Sequence, residues 1–324
     1  MQRRMLVRAL TVGALTPWGL ARAQAGFPSR PVRLVMPFAA GGAPDVIARA
    51  LAVQLGKQLG QNVFVENKLG ANGIIASQEV VRATPDGHTL LIVTGSHTTN
   101  PSIYRRLPYD TLKDFAPVTQ ITTTPGLVLV VNPRLPIRTP EAFIEAAKSG
   151  SVAFGSPGVG NSLHLPGELL NAQAGTKLLH VPYKGAAPAV NAVIGGEIQA
   201  AFLTPSAASP IVKSGQVRAV AVTSANRLPM FGDVPTFNES AVPGFIYSGA
   251  WMGVVAPGGT PVGIAQRLAQ EFRKALQVPE LSSRLTTEGS EIVASSPEEF
   301  SRFLVQDMAR FAELVRKAGI QPID

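Results

Sequence analysis

An α/β fold in two lobes is predicted by three features of the chain. Short β-branched runs alternate with helical stretches along nearly its whole length, the pattern of parallel sheets flanked by helices. At 324 residues, with 45% hydrophobic and 15% charged, the chain is long enough and apolar enough for two cores. A glycine-hinged loop joins a strand to a helix once in each half, at residues 37–45 and again at residues 155–162. A helix starting just after such a loop points free backbone N–H groups and the positive end of its dipole into it, which suits an anion.

Taken in order, the β-branched runs predict strands at 32–36, 62–66, 89–93 and 115–121, then at 127–131, 152–155, 178–181, 198–202 and 217–222, and last at 251–256. Helices are predicted at 44–59, 74–82, 140–148, 162–174, 186–195, 207–213, 261–276, 279–288 and 297–317. The last opens with Ser296-Pro297-Glu298-Glu299, where serine can cap and proline sits in the first turn. Pro125-Gly126 separates two sets of units, and 226–248 is irregular and rich in Pro and Gly before the chain returns to a strand at Trp251. The expected division is therefore a first domain of 26–124 plus 249–324 and a second, 125–248, inserted into it. Two crossings make a hinge. Two consecutive domains with one linker are the rival arrangement.

Residues 1–25 read as an export signal. Arg3, Arg4 and Arg8 precede a weakly apolar run at 9–20, with small-x-small cleavage sites at Ala23 or Ala25. Arg3-Arg4-Met5-Leu6-Val7-Arg8 approximates a twin-arginine signal, and an ordinary secretory signal fits as well. Cleavage would remove Arg3, Arg4, Arg8 and Arg22, lowering the net charge from +8 to +4. The remaining basic residues are scattered, with no concentrated basic face for nucleic acid.

Most chemistry is disfavoured. Cysteine is absent, which excludes disulfides, thiolate catalysis and cysteine metal sites. His88, His97, His164 and His180 stand without metal-ligand spacing. No Gly-x-Ser-x-Gly elbow supports a hydrolase. Gly155-Ser156-Pro157-Gly158-Val159-Gly160 lacks the spacing of a dinucleotide loop. Neither cofactor nor metal is expected.

The ordered motifs resemble those of the tripartite tricarboxylate transporter substrate-binding receptors, the Bug proteins. They are Pro37-Phe38-Ala39-Ala40-Gly41-Gly42-Ala43-Pro44-Asp45, Glu66-Asn67-Lys68-Leu69-Gly70-Ala71-Asn72-Gly73, Pro85-Asp86-Gly87-His88-Thr89-Leu90, Lys113-Asp114-Phe115-Ala116-Pro117-Val118 and Val181-Pro182-Tyr183-Lys184-Gly185. The resemblance implies a periplasmic binding protein of the Venus-flytrap type II fold, with two mixed sheets, helices on both, and a ligand cleft between the lobes. It also implies a monomer that captures a small organic carboxylate and delivers it to integral-membrane transporter subunits. A periplasmic sensor presenting its closed form to a signalling partner is the alternative, and an exported hydrolase of small esters or amides a third.

Carried over by motif, the resemblance points to Phe38, Ala39, Gly41, Gly42 and Asp45 on the first lobe. On the second it points to Ser156, Gly160, Asn161, Ser162, Tyr183, Lys184 and Gly185, with Thr204 at a strand-end loop. Ser96 and His97 follow the strand at 89–93 and are expected on the cleft wall. Simpler roles stand beside these: Gly41-Gly42 as a tight turn, Asp45 as a cap for its own loop, Lys184 as a solvated loop lysine, His97 as a backbone-satisfied polar residue. The chain departs from the family at Asn161, where many members have Ser, and at Leu203, where many have Asp. Asn191 and Gln199 also stand where Asp is common. These changes take negative charge away from the second lobe.

Overall fold

The computed structural model describes residues 26–324 apart from 249, 288 and 318. The expected export signal lies outside the described residues. The elements run β1 (Val32–Met36), α1 (Ala43–Leu59), β2 (Val63–Asn67), α2 (Ile74–Val81), β3 (Thr89–Thr94), α3 (Gly95–Ile103) and β4 (Phe115–Thr123). They continue with β5 (Val128–Val131), α4 (Pro140–Lys148), β6 (Ala153–Ser156), α5 (Leu165–Ala174), β7 (Leu179–Pro182), α6 (Ala186–Gly195), β8 (Ala200–Leu203), α7 (Pro205–Lys213) and β9 (Arg218–Val222). The chain ends with β10 (Trp251–Pro257), α8 (Val262–Leu276), α9 (Pro279–Thr287), β11 (Glu291–Ile292) and α10 (Pro297–Lys317).

The strands form two sheets, ordered β11-β4-β10-β3-β1-β2 and β7-β6-β8-β5-β9. Both are mixed, as the resemblance implies; the alternation of strands and helices taken alone pointed only to parallel pairing. β1, β2 and β3 are parallel, as are β6, β7 and β8. β10 runs antiparallel to β3 and β4, and β5 antiparallel to β8 and β9. Apart from the two-residue edge strand β11, which also runs against β4, the reversed strands β5 and β10 are the first ones laid down after each passage between sheets. A strand entered from a crossing starts where the βα units finish, so its direction is opposite to theirs.

Each sheet is buried on both faces, as near-continuous apolar strands such as VRLVM and VLVV require. Met36, Leu51, Ile92 and Phe272 pack one face of the first sheet, and Val35, Val93, Trp251 and Phe300 the other. Phe143, Phe154 and Phe202 pack one face of the second, and Val130, Val193 and Val222 the other. α10 serves both: Phe300 and Leu304 join the first sheet's core, while Phe311 and Val315, about two to four turns later, join the second's. One helix thus ties the two cores together.

α3 was not anticipated. Its sequence, GSHTTNPSI, has weak intrinsic helix preference and a proline inside. The Thr99 hydroxyl turns back onto the Gly95 carbonyl (2.6 Å), and the one hydroxyl hydrogen of Thr98 is directed to Asp307 on α10 (2.7 Å), with the Gly95 carbonyl farther off at 3.0 Å. Tertiary contact therefore decides that segment.

Candidate functional site

A cleft of ≈ 170 Å³ lies between the two sheets. Its walls come from one end of each: Phe38 after β1, Thr94 at the end of β3, Pro157 after β6, Gly185 after β7, Thr204 after β8, and Trp251 at the start of β10. Parallel strands present their carboxyl ends to it and the reversed strand its amino end, so the topology itself places the crevice.

Three helices begin at this cleft. α1 starts after Gly42, α6 after Gly185 and α7 after Thr204, and all three of these residues line it. Among the described residues, the amides of Ala39, Ala40 and Gly42 find no acceptor within the protein, and neither do those of Ala186 and Ala187. Each helix start carries roughly half a positive charge. No Asp, Glu, Lys, Arg or His is among the lining residues; Leu203, Leu163, Ile47 and Met252 supply apolar surface. The cleft is thus positive through backbone dipoles and apolar through side chains, without a formal charge of either sign.

The first glycine loop is held from behind. Asp45 is buried and accepts from Gly41 N–H (3.0 Å), Arg49 Nε and Nη2 (2.9 and 3.1 Å) and Asn67 Nδ2 (2.9 Å). Asn67 also donates to the Phe38 carbonyl (2.8 Å). Burial alone would push the Asp45 carboxyl up, but the bonds from Arg49, Gly41 and Asn67 outweigh it and hold it below its ordinary value of 3.8. Asp45 therefore caps its own loop, and Gly41, at φ 85°, spends its amide on that cap rather than on the cleft.

The second loop has its own support. Ser156 Oγ sits 2.7 Å from His180 Nε2 and accepts from Gly158 N–H (3.2 Å). Gly160 N–H donates to His164 Nδ1 (3.1 Å), which leaves Nε2 to donate to Glu168 (3.0 Å). Burial, then the neighbouring His164, pushes His180 down to about 3. Asn161 Oδ1 accepts from Leu163 N–H (3.0 Å) as the chain turns toward α5, so that helix begins three residues later than the reading from Ser162.

Of the residues singled out in the sequence, Phe38, Ala39, Gly42, Asn161, Ser162, Gly185 and Thr204 line the cleft. Gly41, Asp45, Ser156 and Gly160 are not in the wall; Asp45 and Ser156 brace the two loops. Tyr183 gives its amide to the Ser156 carbonyl (2.9 Å), and Lys184 is exposed; neither belongs to the wall. Ser96 and His97 depart from the expected wall position because their segment folds as α3. His97 packs beside Tyr109 and Phe115, and burial pushes it down to about 4 against a smaller opposing effect of the Thr111 backbone. The sequence reading missed Thr94, Thr122, Ser206 and Ser290, which add hydroxyls to the lining. A hydroxyl at a predicted strand end, as in Ile121-Thr122-Thr123-Thr124, was the available signal.

The family model described as the tripartite tricarboxylate transporter family receptor matches residues 47–320. This chain belongs to that receptor family. The family is one of binding proteins rather than enzymes. Among solved receptor structures, the periplasmic binding protein BugD is 34% identical, covers 92% of this chain and 100% of its own, and superposes with a TM-score of 0.86. Rpa4515 of R. palustris, solved with adipate, is 32% identical, with 92% and 100% covered and a TM-score of 0.87. MatC from Rhodopseudomonas palustris, solved with bound malate, is 32% identical, with 89% and 100% covered and a TM-score of 0.84.

Proposed function

We propose that this protein is an extracytoplasmic solute receptor. It captures a small organic carboxylate in the cleft and delivers it to a tripartite tricarboxylate-type membrane transporter. The single observation that carries this reading is the convergence of three helix starts, two of them with unpartnered amides, on a cleft with no charged side chain among the described lining residues. Carboxylate oxygens accept from the Ala39, Ala40 and Gly42 amides on one wall. On the other, the α6 and α7 starts and the hydroxyls of Ser162, Thr204 and Ser206 serve the rest of the solute, partly through water. Leu203 and Met252 favour an apolar body, and the absence of a carboxylate in the wall disfavours an ammonium on the ligand.

In this reading residues 26–124 plus 249–324 and residues 125–248 act as lobes that close about the two crossings, and closure strengthens the amide bonds by excluding water. Relatives solved with adipate and with malate support a carboxylate as the solute class, and the periplasmic relative supports an exported receptor. The test is a thermal-shift screen against mono- and dicarboxylates and their amides. Acids should raise the melting temperature and the matching amides should not. A screen in which no acid stabilises the protein overturns the proposal.

A further inference from the structure

The return passage from the second sheet to the first is gripped by an ion pair on α10 whose carboxylate is buried and whose guanidinium is half-buried. Asp307 is 3% exposed and accepts four hydrogen bonds. Its Oδ2 takes Trp251 Nε1–H (2.9 Å) and Thr98 Oγ1–H (2.7 Å), and its Oδ1 takes Arg310 Nε (3.1 Å) and Nη2 (2.5 Å). Arg310 Nη1 then donates to the Ser248 carbonyl (2.6 Å) and its guanidinium lies 4.5 Å from the Phe311 ring centre.

The two ends of this network belong to different sheets. Ser248 follows Tyr247, which is tied to the second sheet through the Thr223 carbonyl (2.8 Å) and hydroxyl (2.6 Å), and to the Ser162 carbonyl (2.9 Å) of the glycine loop. Trp251 opens β10 in the first sheet and forms part of the cleft wall, with its ring packed on Phe300 and Phe303. The pair also sits on α10 between Leu304 and Phe311, where the helix changes from one core to the other. A buried carboxylate with both oxygens saturated by four donors fixes geometry more than it adds stability, because desolvation offsets much of the attraction.

We propose that Asp307 is a positioning residue for ligand capture. Through Trp251 it sets the cleft wall, and through Arg310 and Ser248 it sets the angle at which the second lobe meets that wall. This rests on the solute-receptor reading for its effect on affinity, but not for its effect on Trp251.

The test uses the full chain, with the Trp251 indole resonance assigned by W251F, and adipate and malate as probes. In D307N the indole loses an ionised acceptor, so its N–H resonance should move upfield, and Arg310 faces an amide donor and releases Ser248. D307A should leave the indole N–H open to exchange, and R310Q should keep the resonance in place while freeing Ser248. D307N and R310Q should bind the probe about tenfold more weakly while melting cooperatively; D307N carries both readouts if D307A does not fold. An unmoved indole resonance in D307N overturns the positioning of Trp251. Wild-type probe affinity in both D307N and R310Q overturns the role in capture. If the wild type binds neither acid, the failure belongs to the proposed solute class, and the indole resonance alone decides this inference.

Discussion

Replacing Asp45 by Asn should disconnect the first glycine loop from its anchor. Each oxygen of Asp45 takes two donors: Oδ2 takes Gly41 N–H and Arg49 Nε, and Oδ1 takes Arg49 Nη2 and Asn67 Nδ2. Whichever oxygen becomes an amide, two of the four bonds turn into donor–donor contacts. The Arg49 side chain is 49% exposed and can turn to water, which discounts its share. The new amide N–H at the buried position 45, facing Gly41 N–H or the Asn67 amide with no acceptor, sets the larger part of the penalty, about 1–3 kcal/mol. For a chain of this size that lowers the melting temperature by roughly 2–5 °C.

The pH dependence supplies an internal control. Because the Asp45 carboxyl is held below its ordinary value when folded, its contribution is fully present above that ordinary value and is lost as pH falls through the folded one. The gap between wild type and D45N should therefore stay constant from about pH 7 to about 5 and narrow below about pH 4. Other depressed carboxyls, such as Glu66 and Asp86, act equally in both proteins and cancel. Calorimetric melts across this range measure the gap. Equal melting temperatures at neutral pH, or a gap that widens on acidification, would refute the reasoning.

Three further substitutions follow from the same geometry. Gly42 has φ −74° and its added Cβ would come no closer than 3.8 Å to the Ala39 carbonyl, so G42V should fold normally yet lose acid-induced stabilisation; G41V, at φ 85°, should also lose about 1–2 kcal/mol in denaturant titration. A Cβ on Gly160 would lie 2.6 Å from Ile103 Cγ1, so G160A should destabilise by about 2–4 kcal/mol from overpacking and left-handed strain, and in a double-mutant cycle with I103A, whose own cavity cost is subtracted, the coupling should equal the overpacking share. T204V removes a hydroxyl from the α7 start at the cleft and should weaken acid binding about two- to tenfold in calorimetric titration, with little change in melting.

The strand pattern was legible because buried strands leave dense β-branched runs, and α1 because Gly41-Gly42 and Pro44 punctuate its start. Strand direction was not legible: nothing local in Trp251–Pro257 says that it runs against β3, since that follows from where the chain re-enters the sheet. The two anion-ready loops were found from glycine spacing, yet spacing could not separate the residues on the wall from those that prop it. Asp45 was legible as a cap for its own loop, which its bond from Gly41 shows it to be, whereas Ser156 looks like a ligand contact in sequence and only its partner His180 reveals it as a support. His97 was misplaced for a related reason. Its polar neighbours suggested a loop, whereas the Thr98–Asp307 bond across 209 residues secures the helix that carries His97 away from the cleft. Long-range partners of this kind leave no trace in local composition.

The most direct measurement is a crystal structure of the protein with the acid that stabilises it most in a thermal-shift screen. One carboxylate should lie within hydrogen-bonding distance of the amides of Ala39, Ala40 and Gly42, with the rest of the solute between that loop and the starts of α6 and α7. An acid bound outside the cleft, or one whose carboxylates avoid the first glycine loop altogether, would contradict capture by backbone amides.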